Sequence, residues 1–408
     1  MEFNTRLLHG YEVSSYEHGA TQPAINQSSS FAAKSAQELE DIFNHRKPGC
    51  SYTRVANPSV DAFERRLCEI EDGAGAVSCS SGLAAIAISI LNLVETGDEI
   101  IVSSSLFGGS LELFAELKKY QIKVNFVRHF VAEEIEKFIT PKTKLIFGEI
   151  ITNTSLEVMD VDAISRVAHK HDIPLIVDAT TASPYLVQTI KIGADIVVHS
   201  TSKYINGFGN AIGGIIIDSG KVYWNFDKYP TLASFREFRN LAYLVKLRRE
   251  TWRNLGACTS PFNSYLNIMG LETLGLRMKT ICSNAYALAS SLASNPKVKV
   301  NYPTLESSPF CELAARQFNG LGGGIVTLRV GSKENAFKVM DRLKYATIAT
   351  NIGDVRTLVI YPRTTICRNL SSFECNENGI FDDLIRISVG IEDQKDLIED
   401  FNQALADL

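Results

Sequence analysis

Seven short apolar runs lie between residues 75 and 218: "GAVSCSS", "EIIVSSS", "IKVNFV", "TKLIFGEI", "IPLIVDA", "ADIVVHS" and "GGIIID". Each is strand-length, and most are rich in Val and Ile without steady apolar–polar alternation, as strands buried on both faces require. Ten or more residues, many with helical periodicity, separate one run from the next, enough for a crossover. The pattern predicts an α/β fold built of βα units around a mainly parallel sheet. In open sheets of that kind ligands sit beyond the carboxyl ends of the strands. Several runs end in polar residues, so Ser80, Ser81, Glu149, Asp178, Ser200 and Lys203 are expected in one cleft.

The texture differs on either side of this region. After about residue 255, helical stretches give way to spaced strand runs, "VKVNYP", "GIVTLRV", "TLVIYP" and "LIRISVG", which read as a smaller α+β unit over 256–408. Residues 1–60 are rich in Ser, Asn, Gln and Pro with weak periodicity and read as an arm against a partner, leaving 61–255 as the α/β domain. A chain of 408 residues with 45% apolar content can bury a large core, and a net charge of −5 gives no electrostatic footprint for nucleic acid. The basic run "KLRRETWR" at 246–253 reads as a solvated helix face. The start of the chain has no apolar targeting core, and "AAIAISILNLV" is shorter than the roughly 20 residues of a membrane span. The expectation is a cytoplasmic protein that engages neither membrane nor nucleic acid. Eight cysteines lie apart with no CxxC pair, which points to reduced core residues and to no metal site.

Lys203 is the residue with most chemistry to explain. A lysine after a strand is, by position alone, a solvated loop residue. Here Asp178 closes the strand "IPLIVD" 25 positions earlier, so a carboxylate and an amine reach the same cleft. Ser200 and Ser202 flank the lysine, "GFGNAIGG" permits close backbone approach, and Ser81, Gly82 and Leu83 sit where a strand turns into a helix, a place that binds anions. Amine, carboxylate and phosphate cradle together are what pyridoxal phosphate requires. An exposed lysine has a pKa of about 10.4, so burial beside a cation or the cofactor must lower it. No G-x-x-x-x-G-K-[ST] is present, and no G-x-G opens the first βα turn, the glycine-rich "GFG" coming instead after Lys203, which leaves a non-catalytic nucleotide-binding module as the weaker reading.

Eight segments carry a family resemblance: "YTRVANPSVDAFERRLCEIE", "SSGLAAIAISILN", "SSSLFGGSLELF", "IPLIVDATTASPYL", "VVHSTSKY", "GACTSPFNSYLNIMGLETLGLRM", "NIGDVRTLVIYP" and "IRISVGIED". In order and approximate spacing the chain resembles the Cys/Met-metabolism family of pyridoxal-phosphate enzymes over nearly its whole length, and within it the O-acetylhomoserine sulfhydrylases. The resemblance implies the aspartate-aminotransferase-like fold (fold type I). It implies that Lys203 carries the cofactor, Asp178 pairs with the ring nitrogen, and Ser81, Ser200, Ser202, Gly82 and Leu83 hold the phosphate. Tyr52 and Arg54 would complete that cradle from a neighbouring subunit, making a homodimer with shared sites and, in the family's habit, a homotetramer. Arg386, Asn153 and Asn351 would bind the substrate carboxylate, although Arg386 between apolar residues also reads as the outward side of a half-buried strand.

The chain departs from the family pattern at several positions. Phe107 stands where most members carry a tyrosine whose ring stacks on the cofactor, so the apolar face is kept and the phenol lost. Phe208, Tyr361 and Cys367 replace histidines of the sulfhydrylase pattern, and Arg363 is gained in the same segment. The implied reaction is γ-replacement on O-acetylhomoserine by a sulfur nucleophile, giving homocysteine and acetate for methionine biosynthesis. Rival readings are γ-elimination of the methionine γ-lyase kind and use of O-succinylhomoserine, whose second carboxylate Arg363 would attract.

Overall fold

The computed structural model describes residues 1–10 and 19–408; part of the expected N-terminal arm, residues 11–18, lies outside the described residues. All seven apolar runs form strands: β1 Gly75–Cys79, β2 Glu99–Ser103, β3 Lys123–Val127, β4 Thr143–Glu149, β5 Leu175–Asp178, β6 Ile196–His199 and β7 Gly214–Asp218. They make one sheet in the order β1-β7-β6-β5-β4-β2-β3. From β3 through β2, β4 and β5 to β6 every pairing is parallel, whereas β7 runs antiparallel to both β6 and β1. The expected α/β architecture with a mainly parallel sheet is present.

Burial on both faces explains the unbroken apolar runs. Along β4 and β5, Ile146, Leu175 and Val177 join one core while Leu145, Phe147 and Ile176 join the other, on the opposite side of the sheet. Helices that start just after the strands cover these faces. The elements used below are α1 (Phe3–His9), α2 (Ala36–Phe43), α3 (Pro58–Glu71), α4 (Gly82–Leu91) and α5 (Gly108–Glu116). Asn57 caps α3 by accepting from the Ser59 N–H, with Pro58 in its first turn, and Ser81 caps α4 by accepting from the Ala84 N–H.

Five further strands form the second sheet, β10-β11-β12-β9-β8, from β8 Lys299–Asn301, β9 Ile325–Arg329, β10 Thr347–Ile348, β11 Leu358–Ile360 and β12 Leu384–Ser388. The helix Leu274–Ala293 ties the two sheets together. Its first half (Leu274, Met278, Ile281) packs into a core of the large sheet, and its second half (Ala285, Leu288, Leu292) into that of the small one. The central strand β12 therefore faces the carboxyl ends of β4 to β6. Within the arm, α1 packs on α3, and Gln22 donates to the Glu272 carboxylate at 2.9 Å. Among the described residues no helix is long and apolar enough to cross a membrane.

The run "KLRRETWR" is not a solvated face. The Lys246 amine is buried on the Asn92 carbonyl at 3.0 Å, and Trp252 is buried with its Nε1 donating to the Ser78 carbonyl at 2.8 Å. Arg248 forms an ion pair with Glu64 of α3 and donates to the Ala76 carbonyl at 2.7 Å. Glu64 is itself buried and accepts the Ser78 N–H at 2.6 Å; burial raises its pKa, and Arg248 opposes that rise. The charge of this run does not mark exposure: Arg248 neutralises a buried acid. Arg248→Met is expected to destabilise the fold by about 3 kcal/mol, because one partner of a buried pair is left alone. Urea unfolding would check it, with Glu64→Gln in the same chain restoring part of the loss; an unchanged midpoint would contradict the assignment.

Candidate active site

A cavity of about 700 Å³ opens where the carboxyl ends of β4, β5 and β6 meet the second sheet. Asp178 ends β5 and Glu149 ends β4, and a tight loop after β6 carries Ser200, Ser202 and Lys203. Ser81, Gly82 and Leu83 come from the start of α4, and Phe107 from the start of α5. Asn351 and Arg386 reach in from the second sheet, with Asn153 from the loop after β4. Of the residues expected at the site, the single chain does not bring Tyr52 and Arg54 to this cavity. Both are exposed on the arm, where Arg54 donates to the Arg253 carbonyl at 3.1 Å and lies over the Tyr52 ring. Ser80, expected in the cleft, is instead exposed outside the cavity, and its N–H is held by the Ala257 carbonyl at 2.8 Å.

The corner between the start of α4 and the loop after β6 is built by one close approach. A Cβ on Gly82 would stand 2.6 Å from the Ser200 Cβ, so only glycine lets the start of α4 meet the loop after β6. The Ser81 hydroxyl is spent on the Ala84 N–H at 3.1 Å, which leaves the first-turn N–H groups of Gly82 and Leu83 facing outward, as at any helix start. The Ser202 hydroxyl exchanges hydrogen bonds with the backbone of Gly213, and so braces the loop as well as lining the cavity. Thr180, which the sequence reading passed over, links the two strand ends. Its N–H donates to Asp178 Oδ1 at 2.9 Å, and its hydroxyl accepts the Ser200 N–H at 2.7 Å. The only hint of it in the sequence was its place two residues beyond Asp178 in "DATT".

Lys203 and Arg386 form the cationic side. Lys203 Nζ donates to Asn351 Oδ1 at 2.6 Å, and burial, then the Arg386 charge, lower its pKa to about 8. Arg386 is fully buried, not the outward side of a half-buried strand. It donates to Asn153 Oδ1 at 3.1 Å and to the carbonyls of Thr350 and Asn351 at 3.0 Å each, while its Nε finds no partner. Among the described residues no carboxylate pairs with this guanidinium, and burial lowers its pKa to about 10. Asp178 is raised, first by burial, against the opposing hydrogen bonds from Thr180.

A match to the family described as Cys/Met metabolism PLP-dependent enzyme runs over residues 4–406. The chain belongs to this family. It is 35% identical to an O-acetyl-L-homoserine sulfhydrylase of Leptospira meyeri, over 99% of this chain and 96% of that protein. It is 38% identical to a homocysteine synthase of Schizosaccharomyces pombe, over 99% and 98% of the two chains. A solved Campylobacter jejuni structure, named as an O-acetylhomoserine (thiol)-lyase, covers all of both chains with a TM-score of 0.93 at 31% identity. That structure carries pyridoxyl-lysine monophosphate at one lysine.

The cavity fits the cofactor of this PLP-dependent family. It offers an amine with a lowered pKa, a buried acid, an open helix start that a Cβ would close, and an orphaned guanidinium nitrogen. Gly82→Ala should push Ser200 away and weaken pyridoxal phosphate at least about tenfold while affecting phosphate-free pyridoxal far less. Fluorescence titration of both compounds would check this; equal losses for the two would contradict a phosphate role for the corner.

Proposed function

We propose that the chain catalyses γ-replacement on O-acetyl-L-homoserine by sulfide or its equivalent, giving homocysteine and acetate. The observation that carries the reading is the buried Arg386 with no acid of its own, facing Lys203 across the cavity. A buried, uncompensated cation is costly, and an amino-acid carboxylate arriving in a two-pronged geometry offsets that cost. The names of the relatives, O-acetyl-L-homoserine sulfhydrylase and homocysteine synthase, supply the substrate class.

Asp178 would hold the ring nitrogen of pyridoxal phosphate and Lys203 its aldehyde carbon. Ser200, Ser202 and the Ser81–Leu83 helix start would hold the phosphate, Phe107 would cover the ring, and Tyr52 and Arg54 of the partner subunit would close the cradle. When bound, the cofactor supplies an electron sink that stabilises negative charge on the carbons next to the substrate amine. Arg386 and Asn153 fix the substrate carboxylate, and Asn351, bonded to both Arg386 and Lys203, sets the distance between that anchor and the amine. With a pKa of about 8, roughly one Lys203 amine in ten is neutral at pH 7, against fewer than about one in a thousand for an exposed lysine. Lys203 Nζ therefore takes the α-proton and relays a proton at the β-carbon. The γ-carbon loses acetate with its bonding electron pair and gains the bond to sulfur.

Two features favour the acetyl group over succinyl. Arg363 is bound to Asp382 at 3.1 Å, to the Ile380 carbonyl at 2.9 Å and to Asn376 at 3.3 Å, which leaves it committed to its own loop. Apolar Leu83, Ile212 and Ile366 line the cavity with Phe107, and its only lining cations among the described residues are Lys203 and Arg386. The working unit is a homodimer with shared sites, paired into a tetramer in the cytoplasm. A direct assay tests the reading: the loaded protein should release homocysteine from O-acetyl-L-homoserine and sulfide, with kcat/KM for the succinyl ester at least about tenfold lower. If 2-oxobutyrate and ammonia were the main products with sulfide present, elimination would replace this proposal.

A further inference from the structure

Glu149, the polar strand end expected in the cleft, links two of the loops that line it. β4 and β5 are parallel neighbours with Glu149 opposite Asp178, so the two side chains project from the same face of the sheet. Phe147 and Ile176, each two residues earlier, share one core beneath them. Both carboxyls are buried and line the same wall. Glu149 Oε1 accepts the Phe107 N–H at 2.7 Å, and Oε2 accepts the Asn153 N–H at the long distance of 3.4 Å. One carboxyl thus touches the loop that presents the Phe107 ring and the loop that presents Asn153 to Arg386.

Among the described residues, three other charged groups line the cavity with Glu149. Asp178 comes from β5, Lys203 from the loop after β6 and Arg386 from β12. Lys203 is bonded to Asn351, and Arg386 to Asn153, Thr350 and Asn351, so neither cation pairs with Glu149. The next acid on α5, Glu112, is turned outward onto Asn369. Two carboxylates side by side in a dry wall disfavour double ionisation. Burial, then the Asp178 charge, push Glu149 up to about 8.

We propose that Glu149 is a positioning residue that ties the Phe107 loop to Asn153 and holds a proton against Asp178, the two acids carrying one negative charge until a pyridinium nitrogen lies at Asp178. This rests on the assignment of Asp178 to the ring nitrogen. Once that cation is in place a second negative charge is stabilised, the Glu149 O–H bond breaks, and its proton passes to water. Loading of the cofactor is thereby linked to ionisation of Glu149. Below pH 8 loading is coupled to release of this proton, so affinity gains as pH rises, and above pH 8 the gain ends because the proton has already left.

The test is the Kd of pyridoxal phosphate for dialysed protein, followed by visible absorption from about pH 6 to 9, for wild type, Glu149→Gln and Glu149→Ala. Lys203 titrates in the same range but is common to all three, so it cancels in ratios. The affinity of wild type relative to Glu149→Gln should climb by up to about tenfold per pH unit and flatten near pH 8. Glu149→Gln keeps a carbonyl for the Phe107 N–H and should load, whereas Glu149→Ala should lose at least about tenfold in affinity at every pH. A ratio to Glu149→Gln that stays flat with pH overturns the shared charge, even if the alanine variant does not fold. A folded alanine variant that binds like wild type overturns the tether. Wild type that gains no visible band overturns the cofactor assignment itself, a result distinguishable from both.

Discussion

A guanidinium buried without an acid is the constraint around which the two halves of this molecule meet. Arg386 belongs to the small sheet, but its partners are Asn153 from the loop after β4 and the backbone at Thr350 and Asn351. These neutral acceptors satisfy its donors in part and leave its charge uncompensated. Asn351 then passes the geometry on, because the same residue accepts from Lys203. Gly353 makes this possible: a Cβ there would meet the Tyr204 backbone nitrogen at 2.5 Å, so the 351–353 turn can lie directly on the lysine loop. Arg277 holds that loop from the far side through the carbonyls of Tyr204, Ile205 and Gly270.

Opposite this cationic pair stand two acids, and the contrast between them gives the cavity its polarity. Desolvation acts in opposite directions on the two signs: it raises Glu149 and Asp178 and lowers Lys203 and Arg386. Every one of these groups is held closer to its neutral form than water would allow. A ligand that brings a cation to the acid side and anions to the helix start and to Arg386 is therefore favoured over one of a single sign. An amino-acid substrate with pyridoxal phosphate has that distribution.

The strands were legible because a parallel sheet buried on both faces leaves unbroken runs such as "PLIVD" and "DIVVH", and turning such a sheet into a cleft needs only the residues at its carboxyl ends. Asp178, Ser200 and Lys203 could be brought together by that rule alone. Arg386 and Asn351 could not, since nothing in "LIRISVG" says that β12 is the middle strand of a second sheet turned toward the first; only the family resemblance suggested them. Thr180 escaped because its role depends on β5 and β6 being neighbours. The run "KLRRETWR" misled because periodicity reports which positions are apolar and says nothing about a buried Glu64 waiting on another helix. Ser80 misled for a simpler reason: the chain turns into α4 one residue later, and only from Ser81 onward does it face the cavity.

The proposed chemistry depends on Lys203 being the amine that carries the cofactor. Borohydride reduction of the loaded protein, which makes a lysine–pyridoxal linkage permanent, followed by digestion and peptide mass spectrometry, tests it without relying on turnover. One pyridoxyl phosphate per chain is expected, on the peptide that contains Lys203. The label on a different lysine, or on none, would contradict it.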